Sequence, residues 1–152
     1  MNRIRLFGAS LALAAAGIAA APSVNAVGAV AAHRTTPCSG TLSITELQFV
    51  PAAVMRGGSS TVHVVARNCT AVSQSTEITW LGQFKGKHVS GCPAIDPLAQ
   101  HAAFKPHGTF KAKLTYDLPS SCTASRLQAT TRFTGSGGTQ LAEQSADLSI
   151  TP

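Results

Sequence analysis

The chain has 152 residues and carries 12 Lys/Arg against 6 Asp/Glu, a formal net charge of +6. That excess is compatible with an anionic partner but too small to argue for nucleic-acid binding, and no nucleic-acid partner is expected. Aromatic residues make up only 5% of the chain, which disfavours a carbohydrate-binding surface built on exposed rings.

Met1-Asn2-Arg3-Ile4-Arg5 is a short basic head, and Leu11 to Ala21 is an almost unbroken Ala/Leu/Ile run. Val24-Asn25-Ala26 then places small residues where a signal peptidase reads. Together they predict a cleaved secretory signal peptide over residues 1–26, too short and too Ala-rich to be a stable anchor; Ala29-Val30-Ala31 offers an alternative cut. Removing residues 1–26 takes away Arg3 and Arg5 and leaves 126 residues with 10 Lys/Arg against 6 Asp/Glu, a net +4. That length suits one domain with its own core. The mature chain is expected to be extracellular and to have no membrane span, because no later segment approaches about 18 apolar residues. Its Ala-, Gly- and Thr-rich composition points to a high-GC bacterial source. In an exported chain Cys38, Cys69, Cys92 and Cys122 read as two disulfides.

Residues 27–40 read as a flexible lead, small and polar from Val27 to Pro37. Beyond them the period is two, the mark of half-buried strands. Leu42 and Ile44, then Leu47 and Phe49, alternate with a phase slip near Thr45-Glu46 that suits a bulge. Val62, Val64 and Ala66 oppose His63, Val65 and Arg67. Ile78 and Trp80 oppose Glu77, Thr79 and Leu81, and Phe110, Ala112, Leu114 and Tyr116 oppose Lys111, Lys113 and Thr115. Leu127, Ala129, Thr131 and Phe133 share a face against Arg126, Gln128, Thr130 and Arg132. Ala146, Leu148 and Ile150 oppose Ser145, Asp147 and Ser149. Turn signals punctuate these runs at Arg56-Gly57-Gly58, Asn68-Cys69-Thr70, Pro106-His107-Gly108, Pro119-Ser120-Ser121 and Gly135-Ser136-Gly137-Gly138. The fold expected is an all-β sandwich of about seven strands over residues 41–152.

Phe49-Val50-Pro51-Ala52-Ala53-Val54, then Gly57-Gly58-Ser59-Ser60-Thr61-Val62, then Val64 and Asn68, form a Pro-x-x-Val, Gly, alternating-strand, Asn pattern. Phe104-Lys105-Pro106-His107-Gly108-Thr109 leads into a second alternating strand. This stretch resembles the immunoglobulin-like modules of bacterial secreted proteins, the CARDB-like and NEW3-like sandwiches. The resemblance covers about Thr41 to Thr151, with Cys69 a departure from it, and it implies a fold rather than an activity. With strands over 41–50, 61–67, 77–84, 102–104, 110–116, 126–133 and 141–150 in that arrangement, Cys38 and Cys69 fall at one pole. Cys92 and Cys122 fall at the other, so the expected pairs are Cys38–Cys69 and Cys92–Cys122.

No catalytic constellation is legible. There is no Gly-x-Ser-x-Gly, and the carboxylates sit on outward strand positions except Glu46 and Asp96. A deep pocket converging on His88, His101 and Asp96 would be needed for an enzyme, and none is expected. His33, His63, His88, His101 and His107 lack the spacing of a copper loop, and Cys92 near His88 reads as a bridged cysteine, so no metal or cofactor is expected. Trp80 shares the phase of Ile78 and is expected inside. Asn68-Cys69-Thr70 matches a glycosylation sequon, which in a bacterial chain reads as coincidence.

Two regions remain as site candidates. The first is the outer face of strands 61–67 and 110–116, neighbours in an immunoglobulin-like sandwich. His63, Arg67, Lys111 and Lys113 lie there with no carboxylate on either strand, whereas Arg126 and Arg132 sit between Glu77, Glu143 and Asp147. The expected function is a secreted, non-catalytic binding module whose partner is a protein or an anionic cell-envelope polymer. The second is the long loop from Lys85 to Pro97. Its Cys92-Pro93-Ala94-Ile95-Asp96-Pro97 is similar to the reactive loop of the Streptomyces subtilisin inhibitors. That resemblance covers about six residues and implies a protease inhibitor with Ala94 and Ile95 flanking the scissile bond.

Overall fold

The structure is a computed structural model that describes residues 38–152; the signal-peptide reading and residues 27–37 of the lead lie outside the described residues. Eight strands follow in order: β1 (Leu42–Val50), β2 (Ala53–Met55), β3 (Ser59–Asn68), β4 (Gln74–Lys85), β5 (Leu98–Phe104), β6 (Thr109–Asp117), β7 (Arg126–Thr134) and β8 (Gln140–Thr151), with a 3-10 turn at Ser136–Gly138. They form a β-sandwich, a sheet of order β1-β3-β6 facing one of order β2-β8-β7-β4-β5. All pairings are antiparallel except β2 with β8.

The alternation read from the sequence is the alternation of burial. On β3, Ser60, Val62, Val64, Ala66 and Asn68 are buried while His63, Val65 and Arg67 face out. The phase slip in β1 is a register shift between Ile44 and Glu46, after which Leu47 and Phe49 point inward. Trp80 is 1% exposed. Phe104, Phe110 and Phe133 meet between the sheets at centroid distances of 5.4, 5.8 and 6.2 Å, in the tilted and edge-on geometries that aromatic quadrupoles favour.

Two features extend the expected pattern. After Val50 the chain leaves the small sheet at Pro51, and Ala53–Met55 adds a short parallel strand to β8. The crossing is fixed by Ser60, whose buried hydroxyl donates to the Pro51 carbonyl at 2.6 Å. The strand expected near 102–104 runs from Leu98 and pairs with β4, so it edges the large sheet.

The connections that cross between sheets are held at both poles. At one pole the fully buried Asn68 amide donates to the carbonyls of Val72 (2.6 Å) and Lys105 (3.0 Å). Its oxygen accepts from the Thr70 amide and hydroxyl at 2.9 and 2.8 Å. Disulfides join Cys38 to Cys69 at this pole and Cys92 to Cys122 at the opposite one, the pairs the pole argument gives. Each closes a loop of about 30 residues, worth roughly 3–4 kcal/mol in the chain-entropy picture.

Among the described residues three buried polar side-chain atoms lack a hydrogen-bond partner: Trp80 Nε1, Tyr116 Oη and Thr131 Oγ1. Burial holds the Tyr116 phenol above its ordinary value. Its neutral form is unaffected at lower pH. Stability falls as pH rises past that ordinary value, because the unfolded chain ionises first. Thr131 lies opposite Trp80 on β7 and is fully buried. A buried hydroxyl without a partner costs more than a methyl in the same place. Thr131→Val should therefore stabilise the protein by about 1 kcal/mol in urea unfolding, and a loss of stability would instead reveal an internal water bound there.

Candidate functional site

The two strands of the basic face are locked in register by the β3–β6 ladder. His63 stands opposite Lys113, Val65 opposite Lys111 and Arg67 opposite Thr109. Side chains directly opposite on one face have Cβ atoms about 5 Å apart, and successive outward residues on a strand repeat every ~7 Å. Lys111, Lys113 and Arg67 are exposed, and His63 is half-buried between its neighbours. Thr61 and Thr115 close one end of the patch with a 2.8 Å hydroxyl–hydroxyl contact. The structure thus brings all four expected residues onto one surface.

It also adds a carboxylate. The β1 bulge turns Glu46 outward beside Val65, on the same sheet face as the cations. Its oxygen accepts a 2.8 Å bond from the Gln48 amide, and neither of the ion pairs among the described residues involves it. Asp117 lies further along, at the end of β6 opposite Ser59. Arg67, Lys111 and Lys113 still outnumber the carboxylates on the face.

The outer face of the large sheet is different in kind. Arg132 Nε meets Glu143 Oε2 at 2.6 Å, and Arg126 Nη1 meets Asp147 Oδ2 at 3.5 Å. Lys85 Nζ donates to Gln128 Oε1 (2.6 Å), and Gln128 Nε2 donates onward to Asp147 Oδ1 (3.4 Å). Thr130 and Ser145 hydroxyls meet at 2.7 Å. Its two arginines are thus paired with carboxylates across neighbouring strands, while Glu77 on β4 makes no ion pair among the described residues, so this face offers no free arginine to an anion.

The loop between β4 and β5 is built as a rigid arm. Besides the Cys92–Cys122 bridge, the Thr123 N–H donates to the Ser90 carbonyl at 2.9 Å and the Ser90 N–H donates to the Thr123 hydroxyl at 2.9 Å. Gly91 has φ +65°, and a Cβ there would lie 2.2 Å from the Ser121 carbonyl oxygen, so only glycine fits. Pro93, Ala94, Asp96 and Pro97 are exposed. Ile95 turns inward onto Gly82, where a Cβ would come within 2.8 Å of its methyls. Ile95 thus faces the core, whereas Val89 of the same loop is exposed.

A shallow cleft of about 710 Å³ opens on the large sheet beside the β7–β8 turn, lined by Ser75, Glu77, Gln100, His101, Thr134 and Ser136 among others. His101 Nε2 lies 2.8 Å from Ser75 Oγ. His88 and Asp96 do not line it. Among the described residues no group of three or more His, Cys, Asp and Glu is close enough to hold a metal ion, and Cys92 is bridged. No helix there is long and apolar enough to cross a membrane. Asn68 of the sequon is fully buried with its amide committed, so it is no acceptor for a glycan.

No protein-family model and no curated protein matches this chain. Solved structures are similar to it in differing degree. One is the Pseudomonas fluorescens alkylpurine DNA glycosylase AlkC bound to DNA containing an abasic site analogue, with TM-score 0.55 and 11% identity over 78% of this chain. Another is the sporulation control protein Spo0M of Bacillus subtilis, with TM-score 0.48 and 12% identity over 75% of this chain. A Niemann-Pick type C2 protein from the Japanese carpenter ant follows at TM-score 0.44 and 12% identity, over 75% of this chain and 96% of its own. The chain spans about a third of the first of these proteins and half of the second (32% and 51%). At these identities the likeness is one of fold alone.

If Ile95 plugs the sandwich above Gly82, Ile95→Ala should cost about 1–2 kcal/mol. The same change should speed amide exchange over residues 93–97 while leaving exchange in β3 and β7 unchanged.

Proposed function

We propose that this chain is a secreted, non-catalytic binding module of the immunoglobulin-like kind, related to the CARDB-like and NEW3-like sandwiches. In this reading its β1-β3-β6 face docks an anionic polymer of the cell envelope. The observation that carries it is the contrast between the faces: Arg67, Lys111 and Lys113, with His63 beside them, make no ion pair among the described residues, whereas Arg126 and Arg132 on the other sheet are paired. Unpaired like charges held at strand spacing repel one another, and a polyanion relieves that repulsion. Two disulfides are compatible with an extracellular site of action. The inhibitor reading of Cys92–Pro97 draws support from the loop's rigidity, but Ile95 faces the core and is not offered to a protease.

The test is retention on teichoic-acid and heparin resins across a salt gradient. Wild type should elute later than Lys111→Glu/Lys113→Glu, with both proteins melting at the same temperature. Equal elution of the two would reject this face.

A further inference from the structure

Four strands edge the two sheets, and three of them are blunted against pairing with another chain. The β1 edge carries the bulge at Ile44/Glu46. The β6 edge carries Lys111 and Lys113. The β2 edge is three residues long and follows Pro51. The β5 edge has no such device. Its seven residues, Leu-Ala-Gln-His-Ala-Ala-Phe, contain no Lys, Arg, Asp, Glu, Pro or Gly. It pairs in unbroken register with β4 and, among the described residues, with no other strand. Natural sheets protect a long, uncharged edge because its free N–H and C=O groups are a template for another strand.

We infer that β5 pairs antiparallel with β5 of a second copy, about a two-fold axis through His101, joining two five-stranded sheets into one. The strand's own pattern favours a second copy over an unrelated partner. About that axis Ala99 faces the partner's Ala103, Gln100 faces its Ala102, and Leu98 faces its Phe104. His101 meets its own copy on the axis, and no pair contains a Lys, Arg, Asp or Glu. Leu98 is 40% exposed, and the pairing sets it at the end of the other copy's strand, where Phe104 is buried in its own core. Val72, 60% exposed, lies next to Lys105 at the other end of the strand, since the Asn68 amide bonds both their carbonyls. The axis therefore brings an exposed apolar residue of one copy towards that of the other at each end. With a net charge of +4 once residues 1–26 are removed, two copies repel broadly, and β5 is the edge where a fixed charge opposes contact least. A C2 contact of this kind is self-complementary by construction. One strand pair is a small interface, so the dimer should be weak and concentration-dependent.

Sedimentation equilibrium of the exported, disulfide-intact protein, from about 10 to 500 µM, reads this directly. The mean mass of wild type should climb from the monomer towards the dimer. Ala99→Lys/Ala103→Lys, which places cations opposite each other across the axis at two exposed positions, should stay monomeric with an unchanged melting temperature. In a second pair of variants, His101→Cys should yield a covalent dimer on mild oxidation and Ala103→Cys should not. A wild type that remains monomeric throughout, whether its own lead or a foreign peptide covers the edge, overturns the proposal. So does a dimer indifferent to the double lysine change, or a failure of His101→Cys to cross-link.

Discussion

The buried amide of Asn68 is the constraint on which one pole of this sandwich depends. Two connections cross between the sheets there, β3 to β4 and β5 to β6, and loops that leave a sheet carry backbone groups with no ladder to satisfy them. Asn68 donates to one carbonyl in each connection while its oxygen holds Thr70, and its backbone N–H bonds Gly108 at 2.9 Å. This side chain, with the backbone bond from the His107 N–H to the Thr70 carbonyl at 3.0 Å, stands in for the missing ladder at both crossings. An Asp could not donate to the two carbonyls, and an apolar residue would leave the Val72 carbonyl with the Thr70 hydroxyl alone and the Lys105 carbonyl with the Gly108 N–H alone. The Cys38–Cys69 bridge then ties the start of β1 to the same point.

The opposite pole is solved with different chemistry. There the crossing from β6 to β7 is tied to the β4–β5 loop by Cys92–Cys122 and by Thr123, whose hydroxyl also donates to the His88 carbonyl at 3.0 Å. A covalent bond and a threonine do what an amide does at the other end.

Much of this was legible in the sequence because strand alternation is a local signal. The inward set on β3, β4 and β7, the bulge at Thr45-Glu46 and the interior Trp80 follow from period two alone. The cysteine pairs follow once each strand is assigned a direction. What escaped is what depends on phase or partner rather than pattern. The three residues of β2 are too few to show a period, and their pairing with β8 is set by the turn at Pro51. The start of β5 at Leu98 was hidden because its edge residues are exposed on both faces and do not alternate in polarity. Glu46 joins the basic face only because the bulge reverses the phase of β1, and a count of charges on β3 and β6 passes over it. Ile95 reads as a loop residue until Gly82, bare of a side chain, is seen beneath it.

Trp80 is the chain's sole tryptophan, and it lies at the centre of the core, between Ile78 and Gly82 on β4 and opposite Thr131. The molecule therefore carries one indole chromophore, held out of water and remote from both outer faces. Its fluorescence is an optical gauge of the space between the sheets and of nothing else. Emission will shift to the red when the sandwich parts, and will keep its colour when a partner settles on an outer face. In this protein light separates the integrity of the fold from the occupancy of its surfaces.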